Sequence, residues 1–89
     1  MTYEVNVPLE VSTPISESDP DVRSIRRLPG FLRFQPVAGQ RGRYELSFEV
    51  EGGSLRDAMD AAEELVLEYE NALDAYGPKR LAEVAPQAR

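Results

Sequence analysis

The sequence predicts an α+β domain, an antiparallel sheet packed on two helices, and three observations carry that prediction. Residues 3–11 and 43–50 alternate apolar and polar side chains with period two, as strands with one covered face do. Between residues 55 and 76 the apolar residues instead recur at alternating spacings of four and three, as on one side of a helix. Pro29-Gly30, Gly52-Gly53 and Gly77-Pro78 punctuate the chain into short elements. The length of 89 residues suits one domain, and 42% hydrophobic with 29% charged residues is the composition of a globular chain.

The first strand is set by Tyr3, Val5, Val7, Leu9 and Val11, which alternate with Glu4, Asn6, Pro8 and Glu10. A turn-rich stretch follows. Ser18, Asp19, Pro20 and Asp21 then make a helix start: a side-chain oxygen caps free N–H groups, proline tolerates the first turn, and acids suit the positive end. Val22, Ile25 and Leu28 give this helix one narrow apolar side, and Pro29-Gly30 ends it after three turns at most. Residues 31–37 have the aromatic and branched content of a strand. Residues 43–50 form the next one, with Tyr44, Leu46, Phe48 and Val50 inward and Arg43, Glu45, Ser47 and Glu49 outward. The glycines of the intervening residues 38–42 predict a hairpin.

After Gly52-Gly53, Ser54 and Asp57 fit a capping box in which each satisfies the other's backbone N–H. The second helix then sets Leu55, Met59, Ala62, Val66, Tyr69, Leu73 and Tyr76 on one stripe, flanked by Ala58, Leu65 and Ala72, until Gly77-Pro78 terminates it. This draws the domain at residues 1–77, with a tail at 78–89. For residues 81–85 two readings are open, a fourth strand or a helical turn, and the chain end is expected to be mobile.

The order β-α-β-β-α, with or without a short fourth strand, resembles the ferredoxin-like plait. The resemblance implies that both helices cover one sheet face and that the other is open, displaying Glu4, Asn6, Glu10, Arg43, Glu45 and Glu49. It carries no function by itself. If the tail forms no strand, the first strand keeps a long bare edge, which Pro8 interrupts only locally and which natural proteins seldom leave uncovered. Two copies pairing along that edge, with a basic strip of one near an acidic helix of the other, make a homodimer the expected state.

Cysteine and histidine are both absent, so disulfides, thiolate zinc sites, cysteine nucleophiles and imidazole bases are excluded. No apolar run nears the roughly 18–20 residues that cross a bilayer, and the opening residues do not read as a signal peptide, so a cytoplasmic protein with no membrane partner is expected. The net charge of −6 is unevenly spread. Residues 22–44 hold Arg23, Arg26, Arg27, Arg33, Arg41 and Arg43 and no acid, a candidate basic patch. Residues 45–76 hold ten acids against Arg56 alone. On the second helix Asp60, Glu63, Glu64, Glu68 and Asp74, together with Asp57 and Glu70, form a candidate acidic face, and Leu67 lies among them, about opposite the apolar stripe.

Each feature has a plain structural reading beside the functional one. Exposed charge is the default for these residue types, and a single exposed leucine needs no partner; contact of Leu67 with Leu81 or Val84 of the tail, or with another chain, is the alternative. Asp60, Glu64 and Glu68 are hard oxygen ligands, but one helical face presents them in a row and does not wrap them round an ion, so no metal or cofactor is expected. Residues 41–48 resemble the strand signature of the RNA-recognition motif at Arg41, Gly42, Leu46 and Phe48. Arg43 and Glu45 stand where that motif places base-stacking aromatics, which makes nucleic-acid binding unexpected.

Nothing pairs a nucleophile with a base, and no glycine-rich phosphate loop follows a strand, so no enzyme is expected. The function expected is a small non-catalytic protein-interaction module with a charge-divided surface. The alternatives are an acidic inhibitor or nucleic-acid mimic of the kind small phage or plasmid proteins provide, and a small-molecule regulatory domain resembling the ACT type.

Overall fold

In the computed structural model, which describes residues 1–89, β1 (Thr2–Glu10) buries Tyr3, Val5, Val7 and Leu9 and turns the residues between them outward, as its period-two pattern requires. It pairs antiparallel along its whole length with β3 (Arg43–Glu51), which in turn pairs antiparallel with β2 (Phe31–Pro36). α1 (Pro20–Ile25) and α2 (Leu55–Ala72) pack on the face formed by the inward residues. A 3₁₀ turn at Asp74–Tyr76 follows α2, and the tail supplies β4 (Lys79–Arg80) and β5 (Gln87–Ala88). The strand order is β2-β3-β1-β4, with β5 also on β1.

The helix layer owes its position to a few large side chains. Tyr69, Val66 and Ala62 of α2, with Leu73 just past its end, are fully buried in one cluster with Phe48, Leu46 and Val5, and the rings of Phe48 and Tyr69 stack at 5.1 Å. Val22 and Ile25 bury the inner side of α1. Gly30 permits the short return from α1 into β2: its φ is +74°, its carbonyl accepts the Glu49 N–H at 2.8 Å, and a Cβ at that position would collide with the Glu49 carbonyl.

Several expectations change on meeting the structure. α1 has six residues, fewer than two turns, because the chain tightens into turns from Arg26 onward. The Ser54 cap is made in one direction only, from the Asp57 N–H to Ser54 Oγ at 3.2 Å. Leu55 and Met59 belong to the expected stripe but are 53% and 44% exposed, while Ala58 and Ala62 meet the core. Ser47 faces outward as expected yet is fully buried, since it donates to Asn6 Oδ1 at 2.6 Å and its register neighbours Asn6 and Arg33 flank it.

The tail is neither a strand nor a helical turn at residues 81–85. It pairs with β1 on either side of that stretch, Lys79 and Arg80 opposite Glu10 and Leu9, Gln87 and Ala88 opposite Glu4 and Tyr3. It leaves the ladder where β1 has no donor to offer: Leu81 gives its N–H to the Pro8 carbonyl at 2.9 Å, and Pro8 has none to return. Between the two pairings Val84 and Pro86 turn into the core, with Val84 in the main cluster. The last residue is tied as well, the Arg89 N–H donating to the Thr2 carbonyl at 3.2 Å. The edge through which a homodimer was expected is therefore occupied by the tail at both its ends. No helix of the structure is long and apolar enough to cross a membrane.

Candidate functional site

Two tyrosines hold α1 beside α2 and so decide which charges share a surface. Tyr76 donates its hydroxyl to the Asp19 carboxylate, which also caps α1 by accepting the Asp21 N–H at 2.8 Å. That tyrosine bond, with the capping N–H second, holds the Asp19 carboxyl below its ordinary 3.8, and the same bond pushes the Tyr76 phenol above its ordinary 10. Tyr69 donates to the Pro29 carbonyl at 3.4 Å, and burial, with the Glu68 charge added, pushes its phenol up to about 12. The start of α1 thus lies by the end of α2, and the residues after α1 lie by its middle: the helices run antiparallel.

On the outside of this layer α1 presents Arg23 and Arg27, while Arg26 lines a groove with Phe34, Pro36 and Tyr44 at the β2 side; all three are exposed and none is in an ion pair. α2 presents Asp60, Glu64 and Glu68, likewise exposed and unpaired, with Leu67 among them at 52% exposure. The tail runs past Met59 and Glu63, where Leu81 and Val84 line a shallow groove, and leaves Leu67 uncovered. Like charges one turn apart on α2 repel by a few tenths of a kcal/mol each, so this face is arranged against the helix's own stability.

The structure divides both expected patches. Arg33 and Arg43 belong to the opposite, open sheet face: Arg33 crosses β3 above Ser47 to reach Glu4 at 3.4 Å, and Arg43 pairs with Glu10 at 3.8 Å and Gln40 at 3.0 Å. Arg41 is exposed on the hairpin, lining an open groove of about 980 Å³ with Val11, Pro36 and Tyr44. On the acidic side Glu63 is held by Arg80 at 3.0 Å, and Asp74 sits beyond α2 in the 3₁₀ turn. What remains unpaired on the outer helix layer is Arg23 and Arg27 on α1, which share an exposed patch with Pro20 and Ser24, and Asp60, Glu64, Leu67 and Glu68 on α2.

Two arginines of the tail escape sequence reasoning and do most of the neutralising. Arg80 forks onto Glu70 at 2.8 and 3.1 Å and reaches Glu63 as well, an arrangement that raises its pKa, chiefly through the Glu70 hydrogen bond. Arg89 pairs with Glu49 and lies 3.6 Å from Glu4, completing a chain Arg33–Glu4–Arg89–Glu49 over the open face. Their partners lie 10 and 40 residues away in sequence, and no local pattern announces them. Phe34 and Tyr44 stack on each other at 5.0 Å toward the helix side, and the β3 positions Arg43 and Glu45 carry only charge outward. No group of three or more acidic side chains converges to hold a metal ion. No protein-family model matches the chain, and no curated protein matches it.

Proposed function

We propose that this domain is a cytoplasmic, non-catalytic protein-interaction module, built on a variant of the ferredoxin-like plait, that docks a protein through its charge-divided helix layer. The plait is supported by the split β-α-β arrangement, in which β1 and β2 are both antiparallel to β3 lying between them. The departure is a fourth strand broken into β4 and β5.

One observation carries the docking reading. The ion pairs of the chain fall on the open face and along the tail, while the outer helix layer keeps unpaired arginines on α1 and unpaired acids on α2, with exposed Leu67 among the acids. Desolvating Leu67 inside a ring of charges suits a partner with an apolar spot and matching charge, since apolar burial supplies affinity and charge supplies register and approach rate.

The test is affinity capture from host extract on immobilised chain, comparing wild type with Arg23→Glu/Arg27→Glu and Glu64→Arg/Glu68→Arg, followed by mass spectrometry. Proteins retained by wild type and lost from both variants support the reading; equal retention by all three overturns it. If the protein lost is a nuclease or another DNA-binding enzyme, the acidic face acts as a nucleic-acid mimic.

A further inference from the structure

We infer that the helix layer docks a second copy of this chain, about a twofold axis that lies in the interface and runs parallel to α1 and α2. The inference rests on the reading of that layer as the docking face and names its partner.

The charge pattern selects the axis. When two such layers meet face to face, a twofold axis across the helices lays α1 on α1 and α2 on α2, arginine against arginine and carboxylate against carboxylate. An axis along the helices lays each α1 on the other copy's α2 and satisfies both stripes at once, as the isologous geometry of a twofold contact demands. Because α1 runs antiparallel to α2, as the Tyr76–Asp19 and Tyr69–Pro29 bonds show, and this axis keeps every residue at its own height, the arrangement sets Arg23 and Arg27 over the C-terminal half of the partner's α2, the half that carries Glu64 and Glu68. Leu67, half exposed on the outermost side of α2, then lies inside the contact.

The fold also disfavours two rival surfaces. The edge of β1 is occupied by β4 and β5, and the open sheet face neutralises itself through Arg33, Arg43 and Arg89. The molecule measures 37 × 25 × 17 Å, and its two longer dimensions span an area comparable to the roughly 800 Å² per partner of a standard interface. Each copy carries a net charge of −6, so the contact depends on the paired stripes at short range and not on overall attraction.

Sedimentation equilibrium on the full chain tests this with the same two variants, their equimolar mixture, and the chain carrying all four substitutions. The wild type is expected to dimerise, and each two-site variant to raise the dissociation constant by about tenfold or more. The mixture restores association, because the predominantly acidic layer of one variant meets the predominantly basic layer of the other, and the four-site chain restores it because its stripes are exchanged. The substituted positions are exposed, and restoration shows that the variants fold. A wild type monomeric up to about 1 mM, or a dimer that neither reversal weakens, overturns the inference. A monomer whose extract partner is nonetheless lost in both reversals overturns self-association alone and leaves the docking reading in place.

Discussion

Val66 and Leu73 are each wholly buried, and the residues around them are apolar on every side. An aspartate at either position has no partner, and an unpaired charge in a core costs several kcal/mol against the roughly 5–10 kcal/mol that holds a domain of this size together. Val66→Asp and Leu73→Asp are expected to unfold the domain, read as loss of native circular dichroism at 25 °C. The titrating residues act more gently and with opposite signs at the two ends of the pH scale. Asp19 has a lowered folded pKa, so its stabilisation is present above about pH 4 and is lost as pH falls through that folded value. Tyr69 has a raised one, so its contribution is complete below about pH 10 and is lost as pH climbs toward about 12. Thermal melts across pH should therefore show that Asp19→Asn removes part of the acid decline, whereas Tyr69→Phe makes the alkaline decline shallower. The reverse assignment of the two limbs would contradict the hydrogen bonds described.

Among the elements, α2 and the tail behave differently from what local patterns suggest. On α2, Glu64→Lys places a cation one turn from both Asp60 and Glu68 and relieves two repulsions, which is expected to raise stability by about 0.5 kcal/mol, measured by urea denaturation. A helix face that a single substitution improves so simply is one where stability is not what the acids supply. The tail depends on parity. Arg80 is opposite Leu9 and so points to the helix layer, where Glu63 and Glu70 receive it; Arg89 is opposite Thr2 and so points to the open face, to Glu49. Arg80→Ala is expected to cost about 1 kcal/mol and to speed hydrogen exchange at the Leu81 amide while leaving the β2–β3 pairs unchanged. Equal acceleration throughout the sheet would mean that the tail and sheet open together.

At the scale of the whole molecule, β1, β3 and α2 were legible because each repeats one period over many residues, so that a single deviation does not hide the pattern. Val11, Tyr69 and Tyr76 fell where the periods put them. The exposure of Leu55 and Met59 was not legible, because Leu55 opens α2 at its exposed first turn and Met59 faces the shallow groove beside the tail, whose course no local pattern announces. The tail was illegible for a different reason: Ala and Glu disfavour strands, and its pairing comes from docking onto a strand at the other end of the sequence, near a proline. The division of the arginines into paired and unpaired was likewise hidden, since Arg33, Arg80 and Arg89 are neutralised by residues remote in sequence.

The broken pairing of the tail also bears on how the protein tolerates changes in length. Between its Leu9 and Tyr3 partners β1 has residues 4–8, whereas the tail spends residues 81–87 between Arg80 and Ala88, two more than a straight strand would use. That surplus is slack rope between two moorings. Losing Ala82, or Ala82 and Glu83, both exposed, draws the rope in and leaves each mooring where it is. A third deletion leaves the chain short by about 3.3 Å, the rise of one strand residue, and must pull Arg89 off Glu49 or Arg80 off Glu70. Melting temperature should accordingly stay nearly level through the first two deletions and drop at the third, with the Arg89 amide losing its exchange protection at the same step.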